Sequence, residues 1–105
     1  STEYYEAISR QMREDRKSYY QLFARFKEFR CFASDANFIL VKIPPDAKAP
    51  LQQFLQGRQI IIRFFSEPEF VNCVRITLGT KEQNRRLLSA LLEFLGARQA
   101  KEGSA

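Results

Sequence analysis

The first thirty residues constrain the fold more than any other part of the chain, because they read as one unbroken helix. No Gly or Pro interrupts residues 3–29, although Asp15 stands where another apolar residue is due. Apolar side chains recur at helical spacings of three and four, and they are Tyr5, Ile8, Met12, Tyr19, Leu22, Phe26 and Phe29. A helix of this length spans roughly 40 Å, more than a small domain covers. Its first half therefore exposes an apolar stripe unless a partner or a further domain packs there. The stripe comprises Tyr4, Tyr5, Ile8 and Met12.

The remaining residues alternate between strands and shorter helices. Apolar, β-branched runs predict three strands, at 37–43, 59–65 and 71–78. One helix is predicted at about 47–56, and another is predicted to start at Thr80. Thr80 and Gln83 have the spacing of a capping box, in which each side chain bonds to the backbone of the other residue.

Two glycines mark helix ends and complete the fold prediction. Gly57 is expected to end the second helix in a left-handed conformation, and Gly96 is expected to end the last one. The order α-β-α-β-β-α predicts an α+β fold, a small two-layer domain whose helices cover one face of a three-stranded, mainly antiparallel sheet. We expect one domain over 1–96, in which residues 1–30 form a long interdomain-type helix, followed by a polar tail at 97–105.

The composition argues against several kinds of active site. The chain has no His and two Cys, Cys31 and Cys73, which are expected to be buried thiols. We therefore expect neither a metal site nor a nucleophile paired with His. The net charge of +5 arises from cations that alternate with acids along the helices, a pattern typical of solvated helix faces. No apolar run is long enough to cross a membrane, so we expect a cytoplasmic protein that binds neither membrane nor nucleic acid.

Two arginines, Arg63 and Arg75, lie in otherwise apolar strands. If Phe65 pairs with Val71 across a turn at 66–70, the odd-numbered residues of both strands share one face, and the arginines become diagonal neighbours on it. The even-numbered face is wholly apolar and is expected to carry the helices. Neighbouring guanidiniums repel each other unless an anion lies between them, and the planar fork of Arg fits carboxylate or phosphate.

These arginines allow two interpretations. The first is an anion site on the sheet face that carries no helix. The second is that each arginine extends into solvent or pairs with a local acid such as Glu67 or Glu69. Periodicity alone leaves both interpretations open.

Three blocks of sequence, taken in order, resemble the C-terminal part of the histidinol-phosphate aminotransferases. They are SDANFIL at 34–40, QIIIR at 59–63 and VRITLGTKEQN at 74–84. The family typically shows S-x-A-N-F followed by an aliphatic residue, then G-I-x-V-R, then L-R-I-(ST)-(VIL)-G-T-x-E-E-N. The resemblance covers about residues 13–95. This sequence departs from the pattern at Gln59, where the family has glycine, and at Phe64, where an acidic or polar residue is common.

The resemblance implies a particular place in a larger enzyme. The chain would be the small domain of a fold type I transaminase that uses pyridoxal phosphate and transfers an amino group to 2-oxoglutarate in histidine biosynthesis. Arg75 would grip the substrate carboxylate, and Arg63 would bind the phosphate-bearing or distal end. Asn37 is a possible further substrate contact.

The same resemblance implies what the chain lacks. The catalytic lysine and the other cofactor-binding residues would belong to a large domain of the same polypeptide, which is absent from this sequence. The parent enzyme is expected to be a homodimer. None of the six lysines here lies in the family's cofactor motif. We therefore expect no catalytic residue, no bound cofactor and no metal in this part, which should be inactive alone.

Two other functions remain as alternatives. A related pyridoxal phosphate enzyme, such as an amino-acid-phosphate decarboxylase or an aromatic aminotransferase, would use the same fold. A stand-alone basic module that binds RNA or a regulatory ligand would need aromatic side chains on the exposed sheet face. The third predicted strand instead presents Cys73, Arg75 and Thr77 there.

Overall fold

The computed structural model describes residues 1–34 and 36–103. Asp35 of the first block and residues 104–105 of the predicted tail lie outside the described residues. In chain order the regular elements are α1 (Thr2–Ala24), β1 (Arg30–Phe32), β2 (Phe38–Lys42), α2 (Lys48–Gly57), β3 (Arg63–Phe64), β4 (Cys73–Thr77) and α3 (Lys81–Gly103). Short 3-10 helices at Pro45–Ala47 and Pro68–Phe70 precede α2 and β4. The predicted α+β class is confirmed.

Within the described residues the strands form one antiparallel sheet, in the order β1-β2-β4-β3. The sheet has four strands rather than the predicted three, because Arg30–Phe32 pairs with β2 and places Cys31 opposite Val41. Three residues are too few to show an alternation in the sequence. Phe26 and Phe29, which precede this strand, also have helical spacing, so the sequence does not mark where the strand begins.

The helix α1 ends at Ala24, so the prediction that it continues to about residue 29 is wrong. The N–H groups of Phe26 and Phe29 bond to carbonyls three residues back, at 3.0 and 2.9 Å, and such bonds tighten a chain out of the α-helix. This turn carries the Phe29 ring back to the Phe23 ring, with 6.3 Å between the ring centroids. Both rings are buried. The apolar spacing at Phe26 and Phe29 therefore predicts their burial correctly, although the backbone at these residues is not α-helical.

The helix α3 begins as predicted. The Thr80 N–H donates to Gln83 Oε1 at 2.9 Å, and the Gln83 N–H donates to Thr80 Oγ1 at 3.1 Å. This reciprocal pair is the predicted capping box, and it satisfies two backbone donors that have no partner within the helix.

The far end of α3 differs from the prediction. Gly96 does not end the helix, which continues to Gly103 through the described part of the predicted polar tail. Arg98 explains the extension, since its guanidinium pairs with Asp46 at 3.2 Å and Glu28 at 3.3 Å. These contacts fasten the last turns of α3 to the chain segments beside α1 and α2.

The end of α2 also differs in detail. The N–H of Ile60 bonds to Leu55 O at 2.9 Å, and the N–H of Gln59 bonds to Gln56 O at 3.0 Å. This is the bonding pattern of a Schellman motif, which requires a left-handed residue after the helix. That residue is Gln59, with φ of 60°, rather than the predicted Gly57. The glycine of the family's second block is thus replaced at a position where glycine is favoured.

The helices cover one face of the sheet and bury its apolar side chains. The most deeply buried large side chains are Tyr19, Ile39, Val41, Leu55, Val74, Ile76, Leu91 and Leu95, which come from all three helices and from β2 and β4. The predicted two-layer arrangement is therefore present. The opposite face of the sheet carries no described helix.

Asn84, a polar residue with 2% of its surface exposed, joins α1 to the start of α3. Its side-chain oxygen accepts from the Tyr19 hydroxyl at 3.0 Å and from the Gly79 N–H at 3.2 Å. Its side-chain NH₂ donates to Asp15 Oδ2 at 3.0 Å and to Gly79 O at 3.1 Å. The interruption of the apolar stripe at Asp15 is thereby explained, because this carboxylate faces a buried amide. Burial and the nearby Asp15 raise the pKa of the Tyr19 hydroxyl, which stays protonated and donates.

The first turns of α1 project away from the core, as the stripe predicts. Tyr4, Tyr5 and Ile8 are exposed to 62%, 68% and 40%, whereas Met12 packs partly against the core. None of the described helices combines the length and apolar character needed to cross a membrane.

Replacing Gln59 with Gly should stabilise the chain. The left-handed conformation costs a side-chain-bearing residue about 1–2 kcal/mol, and the extra freedom of an unfolded glycine offsets about half of this gain. We expect the free energy of unfolding to rise by about 0.5–1 kcal/mol, measured by urea denaturation. The matched control is Gln53→Gly in the exposed middle of α2, which should lower it by about 1 kcal/mol. A loss of stability in Gln59→Gly would contradict the left-handed assignment.

Replacing Asn84 with Ala should destabilise the chain by about 2–4 kcal/mol, because the change leaves several buried polar groups without partners. Tyr19→Phe removes one of the same bonds and should cost about 1 kcal/mol. Thermal unfolding of both variants measures the difference. Equal losses would show that the amide has no role beyond its bond to Tyr19.

Candidate functional site

The strand β4 carries one predicted arginine on the face without helices. Val74 and Ile76 are buried under the helices, and Arg75 between them is half-buried on the opposite face. Side chains alternate between the faces of a strand, which produces this placement. The face predicted for Arg75 is confirmed.

The strand β3 brings Arg63 directly opposite Arg75. The predicted diagonal arrangement is wrong, because the register pairs Phe64 with Val74 and differs by two residues from the predicted one. The face is nevertheless as predicted, since a shift by two keeps every side chain on its original side, whereas a shift by one would reverse them all. Like charges directly opposite each other destabilise a strand pair.

The register differs because the connection between the strands is longer than a simple turn. The Phe65 N–H reaches Cys73 O at 3.5 Å, so the predicted pairing of Phe65 with Val71 does not form. The 3-10 helix Pro68–Phe70 occupies the connection. The strand β3 is also shorter than predicted, with Arg63 and Phe64 alone assigned to it among residues 59–65.

The uncovered face of the sheet is both basic and apolar. One row across the four strands contains Phe32, Leu40, Arg75 and Arg63, as the strand pairings place them. Arg30 and Lys42, which pair with each other two residues along the strands from Phe32 and Leu40, add two cations to the same face. We call this surface, defined by these six residues, the open face.

The guanidinium of Arg75 is held by an aromatic ring rather than by an acid. Its Cζ lies 5.7 Å from the centroid of the Phe38 ring, a cation–π distance. Its Nε is buried, and within the described residues it has no hydrogen-bond partner. Buried donors are normally satisfied, so Arg75 has unused capacity to bind an anion.

Arg63 has a weak local partner. Its guanidinium lies 3.8 Å from Glu67 Oε1 and 4.8 Å from the Phe65 ring centroid. Both charged side chains are about half exposed, and an ion pair in such a position contributes little. Arg63 thus pairs weakly with a local acid, as the second interpretation predicts. Arg75 pairs with no acid among the described residues.

Asn37, the possible third site residue, has a backbone role in the structure. Its carbonyl accepts from the Leu78 N–H at 2.8 Å and extends the pairing of β2 with β4. Its side chain is exposed, and among the described residues no hydrogen bond joins it to either arginine. The neighbouring loop is fastened to α1, since the Ser34 N–H donates to the Tyr20 hydroxyl at 2.8 Å.

The cysteines offer no reactive or metal-binding pair. Both are free thiols, and the pairings place Cys31 beside Val41 on the helix side, whereas Cys73 shares the side of Arg75. Burial raises the pKa of the Cys31 thiol to about 11, so it stays protonated at neutral pH. No group of three potential metal ligands occurs in the described part of the chain.

Comparison with known proteins identifies the family. The family model described as aminotransferase class I and II matches residues 1–91. The histidinol-phosphate aminotransferase of Microcystis aeruginosa is 38% identical over 95 residues, which cover 89% of this chain and 26% of that protein. The corresponding protein of Rippkaea orientalis is 34% identical, with coverage of 90% and 27%.

A solved structure shows the same fold. A Burkholderia pseudomallei protein described as an aminotransferase matches with a TM-score of 0.64 and 30% identity, over 78% of this chain and 23% of that one.

The chain belongs to the class I and II aminotransferases.

The chain spans about a quarter of the length of the curated aminotransferases that it matches. Its lysines do not fit a covalent cofactor site, which requires an amine in a sheltered pocket. Lys17, Lys27, Lys42, Lys81 and Lys101 are exposed. Lys48 is half-buried, but its ammonium donates to two backbone carbonyls.

Two residues beside the arginine pair escaped the sequence analysis. Phe38 was assigned to a strand, and the register that sets its ring beside Arg75 cannot be read from one sequence. Lys48 lies at the start of α2, yet it donates to Phe65 O and Val71 O beside the arginine strands. A capping box has a sequence signature, whereas a lysine that reaches two distant carbonyls has none.

The arginine pair should behave as a binding site rather than as a stabilising element. Replacing Arg75 with Met should change the free energy of unfolding by less than about 0.5 kcal/mol, since the change also removes a repulsion. Inorganic phosphate should raise the Tm of the original chain more than that of Arg75→Met, because a ligand stabilises the state that binds it. Arg30→Met, on the same open face, is the control and should keep the phosphate effect. A large drop in Tm, or an equal phosphate effect in all three proteins, would contradict an anion site.

Proposed function

We propose that this chain is the substrate-binding small domain of a pyridoxal phosphate-dependent transaminase, a cytoplasmic histidinol-phosphate aminotransferase of histidine biosynthesis. The enzyme would exchange an amino group between a phosphate-bearing amine and 2-oxoglutarate. The named relatives support this substrate class, and their greater length supports a large domain in the same polypeptide.

The observation that carries the proposal is the pair of arginines facing each other on the open face. Arg75 binds the carboxylate of the 2-oxo acid through its planar fork, and the Phe38 ring, 5.7 Å from its Cζ, supports the guanidinium. Arg63 binds the phosphate-bearing or distal end of the substrate, where it exchanges its weak contact with Glu67 for a stronger one. Asn37, which is exposed and directly precedes β2, is the third candidate contact.

The large domain covers two surfaces of this chain. One is the open face, where Phe32 is 38% exposed. The other is the apolar stripe at the start of α1, where Tyr4 and Tyr5 project into solvent. Exposed apolar surfaces of this kind indicate contact with another protein surface. The assembled enzyme is a homodimer in this proposal.

Pyridoxal phosphate, held by the rest of the enzyme, supplies the electron sink for amino transfer. The residues of this chain bind and orient the substrate anion, and docking of the large domain excludes water from it. An arginine contact in a dry site is stronger than the same contact in water. The chain alone therefore carries no catalytic residue in this proposal.

Replacing Arg75 with Lys in the complete enzyme tests the proposal. The charge is kept but the fork is lost, so kcat/KM for amino transfer should fall by about a hundredfold, equivalent to about 3 kcal/mol. Arg63→Lys should reduce kcat/KM more for histidinol phosphate than for a 2-oxo acid without phosphate.

The matched control is Arg85→Lys on the exposed side of α3, which should leave kcat/KM unchanged. An Arg75→Lys enzyme with unchanged kcat/KM and a lowered Tm would show that the arginine serves the fold. An unaltered enzyme that transfers no amino group from histidinol phosphate would refute the proposed substrate.

A further inference from the structure

The ammonium of Lys48 lies between the two ends of the loop that joins the arginine strands. Lys48 Nζ donates to Phe65 O at 2.9 Å and to Val71 O at 3.0 Å. Lys48 is the first residue of α2, and it is separated along the chain from these residues by 17 and 23 positions. Bonds from a charged donor are stronger than neutral ones, so the contact is suited to fixing the ends of the loop.

One of the two carbonyls, Val71 O, is an acceptor that a competing register needs and the observed register does not. In an antiparallel ladder, the members of a hydrogen-bonded pair donate to each other's carbonyls, and such pairs alternate with non-bonded ones. The bond from the Phe65 N–H to Cys73 O makes Phe65 and Cys73 a pair of the bonded kind. A shift by two residues would keep that kind and pair Phe65 with Val71. The acceptors of the shifted pair would be Phe65 O and Val71 O. Phe65 O is an acceptor in both registers, whereas Val71 O is needed only in the shifted one, and Lys48 bonds to it at 3.0 Å.

The opposite side of β4 does not compete for these acceptors. The carbonyl of Asn72, between Val71 and Cys73, accepts from the Ile43 N–H at 2.8 Å. Val71 has helical dihedral angles, with φ of −56° and ψ of −30°, so it lies outside the ladder. Lys48 bonds to its carbonyl and to that of Phe65, which directly follows β3. Lys48 therefore acts on the pairing of β3 alone, while the pairing of β2 with β4 is fixed independently.

We propose that Lys48 is a positioning residue that selects the β3–β4 register and so places Arg63 directly opposite Arg75. Direct partners have Cα atoms about 5.5 Å apart, whereas diagonal neighbours are about 7–8 Å apart. The close arrangement lets both guanidiniums contact the phosphate group of one substrate. The structural part of this inference stands on the contacts, and its consequence for substrate rests on the proposed function.

Nuclear Overhauser effects in the chain test the register directly. Phe64 and Val74 form a non-bonded pair whose Cα atoms approach to about 4.5 Å, so their Hα protons should give a strong cross-peak. Lys48→Met should lose this peak and gain one between Phe64 and Asn72. Lys48→Arg, which retains a charged donor, should keep the original peak. Lys81→Met, the matched control at the first residue of α3, should also keep it.

Substrate kinetics of the complete enzyme provide the second measurement. Lys48→Met should raise KM for histidinol phosphate by at least about tenfold, since small misplacements of a binding group are costly. KM for a 2-oxo acid without phosphate and kcat should change less than about twofold in this variant. Lys48→Arg should restore the low KM, which a loss of general stability would not predict.

Each outcome decides the proposal. An unchanged Phe64–Val74 peak in Lys48→Met overturns it, and so does an unchanged KM for histidinol phosphate beside a shifted register. If Lys48→Met does not fold, Lys48→Gln keeps a neutral donor and replaces it in both measurements. Failure of both variants to fold would show that Lys48 serves stability, which also overturns the proposal. A shifted register in an enzyme without transaminase activity would support the structural inference and refute the proposed function.

Discussion

The buried amide of Asn84 is the interaction on which the arrangement of helices and sheet depends. Its four hydrogen bonds join Asp15 and Tyr19 of α1 to the Gly79 peptide, which connects β4 to α3. A buried polar group stabilises a fold only when its partners are in place, so this network permits few arrangements of the long first helix. Apolar contacts alone would tolerate a rotated or shifted helix at much lower cost.

Much of the fold follows from local patterns in the sequence. Apolar, β-branched runs identified β2 and β4, alternation gave the face of each arginine, and the Thr80–Gln83 spacing identified the start of α3. These predictions succeed because each depends on neighbouring residues or on the period of a single element. The composition of the buried layer follows in the same way, since apolar side chains at regular spacings reach the core whether or not the backbone is helical, as Phe29 shows.

The failures share a different cause, which is dependence on residues distant in the chain. Gly96 continues a helix because Arg98 contacts Asp46, more than fifty residues earlier. The register of the arginine strands follows the same rule. Two registers that differ by two residues place every side chain on the same face of the sheet. The choice between them is made by contacts that no local pattern shows.

The repulsion within the arginine pair depends on how much water reaches the open face. In water the repulsion between Arg63 and Arg75 is small, because solvent screens it and the open face is not covered. In the proposed enzyme, docking of the large domain would remove water and strengthen the repulsion, so the closed site would be favourable only with an anion between the guanidiniums. Closure would then depend on substrate, without any separate sensing element. The ring of Phe38 keeps Arg75 available for an anion, since a cation–π contact holds its guanidinium near the sheet without neutralising its charge.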